Sequence, residues 1–170
     1  MPITAKLTAQ QIRAIEEEVK RRLVEKAVAQ KIGGVVSAKD VVVRDILPST
    51  DLGFTNEVWE ETISTANSWT TLVNTTVSSD KCYMFFGVKN VNASPKIVAL
   101  KFSKGAVVKD IWHFQDMLTE PTVEAISDIL IFYGKEEPMK IEYYAQATGT
   151  DNLIIRGFVA EPRGKRIAQE

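Results

Sequence analysis

One histidine and one cysteine bound the chemistry that this chain of 170 residues can carry. A zinc or iron site is built from several histidine, cysteine or carboxylate ligands at short spacing. His113 stands beside Trp112 in VVKDIWHF, with no second histidine and no cysteine cluster to join it. A Ser-His-Asp triad would have to use His113, and the chain holds no G-x-S-x-G elbow. A strand histidine hydrogen-bonded locally is the simpler reading. Cys82 opens an apolar run. As a nucleophile it would need His113 alongside to lower its pKa; otherwise it is a buried thiol. Glu60-Glu61 and Glu136-Glu137 offer the paired carboxylates of a glycosidase. Neither pair sits among apolar residues that would raise a pKa, so both read as solvated strand and turn positions. Gly33-Gly34 lacks the Lys-Ser/Thr of a phosphate loop and reads as a helix stop. The expectation is a protein that is not an enzyme, with no metal, no cofactor and no small-molecule substrate.

Binding chemistry has a few more candidates. Trp59, Trp69 and Trp112, with Tyr143 and Tyr144, are the residue types on which a sugar ring stacks, although strand aromatics more often fill cores. Tyr144 shares a strand face with Lys140, Glu142 and Gln146, so it is the best exposed; Tyr144, Trp59 and Trp69 make up the candidate ligand face. Asn74-Thr75-Thr76 matches a glycosylation sequon, and Asn92-Ala93-Ser94 matches another but is followed by proline. Arg163, Lys165 and Arg166 form a small basic tail that could meet nucleic acid or an acidic surface, while the net charge of -1 supplies no general positive field. MPITAKLTAQQ lacks the apolar core of a signal peptide. No stretch approaches ~20 consecutive apolar residues, so no membrane span is expected. A single cysteine rules out an intramolecular disulfide. These features predict synthesis in the cytoplasm.

The elements that must position these residues begin with a helix. Thr8-Ala9-Gln10-Gln11 is a capping box, with Leu7 and Ile12 placed as a hydrophobic staple. The pairs Glu16–Lys20, Glu17–Arg21 and Glu18–Arg22 stand at i,i+4 in the favourable order. The helix is predicted from Ala9 to Ile32. Ile12, Ile15, Val19 and Leu23 make a narrow stripe, and Val24, Val28 and Ile32 a second apolar patch rotated around the helix. One patch is expected on the chain's own sheet and the other on a neighbouring copy, which makes all seven candidate subunit-interface residues. From Lys39 onward the pattern is strands: 39–47, 57–63, 69–77, then the stretch from Cys82 to Phe114, 128–133, 139–148 and 153–160. Cys82 to Phe114 reads as three strands joined by Asn92-Ala93-Ser94-Pro95 and Ser103-Lys104-Gly105-Ala106, an antiparallel meander at the centre of the fold. Pro48 to Gly53 reads as loop, 115–122 as a longer connection with a helical turn, and Gly149 to Asn152 as a hairpin turn. CYMFFGV and DILIFY are apolar on both faces, which requires a cover over each sheet.

The fold class is therefore mainly β, an antiparallel sandwich of jelly-roll type with one N-terminal helix. The chain divides into a helical arm (1–34), the sandwich (35–161) and a polar basic tail (162–170). A leading helix (Thr8 to Gly34) before a compact antiparallel sandwich (Lys39 to Ala160), without active-site chemistry, resembles the single jelly-roll capsid and decoration proteins of icosahedral prokaryotic viruses. The resemblance implies a structural subunit of a virion, made in the host cytoplasm. Its partners would be copies of itself and other shell proteins, met through sheet edges, loops and an extended terminus. The alternative is a carbohydrate-binding or adhesion module, since lectins also use jelly rolls. A cupin-like metalloenzyme would need several histidines.

Overall fold

The structure, a computed structural model, describes residues 2–5, 7–115 and 124–164. Most of the expected 115–122 connection, and Lys165 and Arg166, lie outside the described residues. A strand β1 (Pro2–Ala5) precedes the helix α1 (Ala9–Gln30). The capping box forms: Gln11 N–H donates to the Thr8 hydroxyl at 3.1 Å, and Thr8 N–H donates to the Gln11 side chain at 2.9 Å. The helix ends earlier than predicted. Lys31 takes the left-handed conformation (φ 52°), and its N–H caps Ala27 and Val28, so the glycine pair follows in a short 3-10 turn. Of the three expected ion pairs, Glu18–Arg22 forms. Arg21 turns instead to Glu18 and Glu25, and Glu16 reaches across to Arg156 on the sheet. The hydrogen bonds from Arg21 and Arg22 hold Glu18 down to about 2.

The remaining elements are β2 (Val41–Asp45), α2 (Pro48–Leu52), β3 (Glu61–Ile63), β4 (Trp69–Thr76), β5 (Cys82–Asn90), β6 (Ile97–Lys104), β7 (Val107–His113), β8 (Glu124–Tyr133), β9 (Pro138–Ala145), β10 (Gly149–Asp151) and β11 (Leu153–Pro162). One sheet has the order β1-β8-β5-β11-β2 and the other β4-β9-β6-β7; β10 and β3 pair separately. All pairings are antiparallel. If the eight long strands are counted in chain order, the sheets read first-eighth-third-sixth and second-seventh-fourth-fifth. This is the order produced when two Greek keys wrap into a jelly roll, so the expected fold class is the observed one.

That wrapping corrects several local expectations. The central meander does not form. The connection after β5 carries the chain to the opposite sheet, and only β6 and β7 make a hairpin. β5 is buried along nearly its whole length because it lies between β8 and β11 in the middle of its sheet. Pro48 to Gly53 is not simple loop: proline sits in the first turn of α2 and Gly53 closes it (φ 80°). The 57–63 strand shrinks to β3, and the expected hairpin turn at 149–152 contains β10, which pairs with β3.

Two apolar layers hold the fold. Between the sheets lie Phe85, Leu100, Phe102, Trp112, Tyr133, Ile141 and Tyr143, all at most 1% exposed. The second layer lies between α1 and the outer face of the five-stranded sheet, where Val19, Leu23, Ala27 and Ile32 meet Cys82, Met84, Phe86, Phe158 and Ala160. The strands are not interchangeable in detail. At Gly87, where the pairing with β8 shifts register, a Cβ would stand 2.5 Å from the Ala125 carbonyl oxygen and 3.0 Å from Ile126 Cδ1. Gly87→Ala should therefore destabilise the protein by about 1–3 kcal/mol, measurable as a lower urea midpoint.

Candidate functional site

Six of the seven helix residues expected at an interface belong to the layer between the helix and the chain's own sheet. Val19, Leu23 and Ile32 are buried in the second layer, and Ile15, Val24 and Val28 pack against it partly buried. Ile12 is half-buried. Residues of both patches therefore share one apolar layer on the chain's own sheet. Polar contacts fix the arrangement at both ends. Arg156 pairs with Glu16 of the helix and with Glu124 of β8 at 2.9 Å, and Gln30 accepts from Lys135 N–H at 3.0 Å.

The candidates for catalysis are kept apart. Cys82 lies under α1, and burial pushes its thiol up to about 12, so it is protonated and shielded. His113 is exposed at the end of β7 in the other sheet, so the two cannot form a pair. Glu136 and Glu137 precede β9, whereas Glu60 and Glu61 lie at β3, which pairs with β10. Glu137 pairs with Lys109 at 3.4 Å. Glu60 and Glu61 line a cleft of about 540 Å³ with Phe54, Asn56, Thr62 and Leu72. Glu61 departs from the solvated reading, since burial raises its carboxyl above the ordinary value. Among the described residues no group of three or more His, Cys, Asp or Glu side chains is placed to hold a metal, and no helix is long and apolar enough to cross a membrane.

Two polar clusters were not foreseen. In the first, Arg44 of β2 donates to both oxygens of Asp51 at 2.7 and 2.8 Å and to Glu161 at 2.9 Å. Asp51 also accepts from Leu47 N–H at 2.7 Å and lies 3.4 Å from Lys81 Nζ. Burial opposes ionisation of Asp51, but the hydrogen bonds from Arg44 and Leu47 and the nearby cations outweigh it and hold the carboxyl below its ordinary value. The cluster ties α2 to β2 and β11 and to the turn before β5. In the second, the fully buried Asp151 accepts from Lys96 and Ile97 N–H at 2.8 and 2.7 Å and from the Asn90 side chain at 2.8 Å. Asn152 continues the network, donating to the Trp59 carbonyl at 2.9 Å and accepting from Asn92 at 2.7 Å. Three loops are bonded together at this end of the sandwich. The only signal in the sequence was the Asn and Asp residues of the two turns, Asn90, Asn92, Asp151 and Asn152, which alone read as turn chemistry.

The three aromatic candidates divide. Trp59 packs edge-on against Phe54 at 5.5 Å beside the core, away from the other two. Trp69 and Tyr144 are register partners on β4 and β9 and meet edge to face at 5.5 Å on the outer face of the four-stranded sheet. Lys101 Nζ sits 4.6 Å from the Trp69 ring centre and 3.5 Å from Glu142. Asn74, of the first sequon, is exposed on the same face; Asn92, of the second, is bound into the loop network. Arg163 is tied to the Lys39 carbonyl at 2.8 Å.

Fold and surface define a helix-covered jelly-roll sandwich in which, among the described elements, no helix covers the second sheet. No protein-family model and no curated protein sequence matches the chain.

Proposed function

We propose that the protein is a structural subunit of a viral shell, a capsid or decoration protein that works by self-association. One observation carries this reading. β7 is an edge strand that pairs only with β6 among the described strands, and it exposes Val107 (69%) and Val108 (48%). Soluble proteins guard such edges with charge, bulges or covers, because an exposed apolar edge invites another chain. A bulge at Lys109 follows these two valines, but the Lys109 side chain does not cover them. Lys109 turns across the gap between the sheets to donate to the Phe132 carbonyl at 2.8 Å. The assembly surface in this reading is thus the β7 edge, since the helix is engaged by its own sheet. Sedimentation velocity over a concentration series tests it. The wild-type chain should associate, and Val107→Lys with Val108→Lys should shift it towards monomer with its melting temperature unchanged. A wild-type protein that stays monomeric at every concentration defeats the proposal.

A further inference from the structure

We infer that the outer face of the four-stranded sheet is a carbohydrate-binding surface, specific for an extended, neutral oligosaccharide. This goes beyond the shell reading and does not depend on it.

The argument begins with the difference between the two outer faces. That of the five-stranded sheet is apolar, and α1 covers it. That of the four-stranded sheet is polar apart from a few residues and carries no covering helix among the described elements. Register places its side chains in rows across the strands. One row holds Trp69, Tyr144, Ala99 and His113; the next holds Thr71, Glu142 and Lys101. The two aromatics are half-buried and touch neither core layer. They are nonetheless fixed in place: Tyr144 meets the indole of Trp69 at 69°, Lys101 lies over that indole, and Glu142 holds Lys101. An aromatic pair braced in this way at the surface is already ordered before a ligand arrives, which removes part of the entropy cost of binding.

The chemistry selects the ligand. The C–H face of a pyranose carries partial positive charge and suits the negative π-face of Tyr144, while Trp69, with Lys101 over its ring, holds Tyr144 in position. Its hydroxyls both donate and accept, which matches a rim where Lys101 and Lys140 donate and Glu142 accepts. Glu142 lies between the two lysines, 3.5 Å from one and 3.9 Å from the other, and offsets part of their charge; a phosphate or uronate backbone would meet this carboxylate as well as the two ammonium groups, so both polyanions are arms of the test. A protein partner would ask for a larger desolvated apolar centre than this pair supplies. A surface four strands wide suits an extended chain of sugars better than a single ring.

The test uses the full chain and NMR spectra of its backbone and indole N–H groups. It is titrated separately with cellohexaose, laminarihexaose, mannohexaose, polygalacturonate and a single-stranded oligothymidylate. The expected result is saturable shifts of the Trp69 indole and Tyr144 amide signals with at least one neutral hexaose. Trp69→Ala and Tyr144→Ala should each weaken that binding by about tenfold or more, the usual scale for losing an aromatic stacking platform. Glu142→Gln, which leaves the aromatic pair intact, should weaken it several-fold and keeps the test decisive if an alanine variant fails to fold. The proposal is overturned if no neutral hexaose shifts these signals, if only polygalacturonate or the oligothymidylate does, or if the variants bind as the wild type does.

Discussion

Arg44→Met should destabilise the protein by about 3–5 kcal/mol, the cost of removing one partner from a buried ion pair. The side chain of Asp51 is 0% exposed and that of Glu161 is 4%, so neither carboxylate can turn to water when the guanidinium is gone. Lys81, at 3.4 Å, is too distant to replace two hydrogen bonds below 3 Å. Methionine fills much of the volume but donates nothing. Adding Asp51→Asn and Glu161→Gln to Arg44→Met should recover part of the loss, because the burial cost of both charges then disappears. The pH profile separates charge from packing. The folded Asp51 carboxyl is held below its unfolded value, so its contribution is fully present above that value and is lost as pH falls through the folded one. The wild type should therefore lose stability on acidification below about pH 4, the unfolded range for aspartate. Arg44→Met should show a shallower acid limb. Urea melts at a series of pH values measure both effects, and an Arg44→Met protein as stable as wild type at neutral pH would refute the argument.

The second large effect belongs to the helix. Leu23 is 0% exposed against Met84, Phe86, Phe158 and their neighbours, and truncating it to alanine should cost about 2–5 kcal/mol. Deleting residues 1–32 removes Val19, Leu23, Ala27 and Ile32 together and bares the outer face of the central strands β5 and β11. A domain stable by only about 5–15 kcal/mol in total cannot absorb that loss. The truncated chain should show no cooperative melt and should aggregate. Had α1 been only a contact arm, the same deletion would leave the melting curve in place and change association alone. Calorimetry of the truncated protein decides between the two outcomes.

What the sequence revealed, and what it hid, follows from the range of each interaction. The capping box involves residues three apart and could be read directly. The alternation along β9 was also legible: Met139, Ile141, Tyr143 and Ala145 are buried, while Lys140, Glu142 and Tyr144 are not. Double-sided burial of CYMFFGV correctly called for a cover. What failed was the choice of partner. The short link after β5 looks like a hairpin turn, yet nothing local says whether the next strand pairs with β5 or crosses to the opposite sheet. β1 was missed because four residues carry no period. Arg44 and Glu161 are 117 positions apart, so a buried contact between them leaves no local pattern. The same holds for Trp69 and Tyr144: each was a candidate, but only the pairing of β4 with β9 brings them into contact and leaves Trp59 elsewhere.

The place of β11 has a consequence for how the chain comes off the ribosome. It is the last of the described strands in chain order, yet it lies inside its sheet, hydrogen-bonded to β5 on one side and β2 on the other. As the chain emerges from its N-terminal end at roughly 5–20 residues per second, α1 can coil early, but the surface it must cover lacks its middle. Until residues 153–162 leave the exit tunnel, β2 has no strand beside it in that sheet, and Phe158 and Ala160 are missing from beneath the helix. Before then β4, β9, β6 and β7 can assemble their sheet and β8 can join β5, whereas β2 can join its sheet only once β11 has paired with β5.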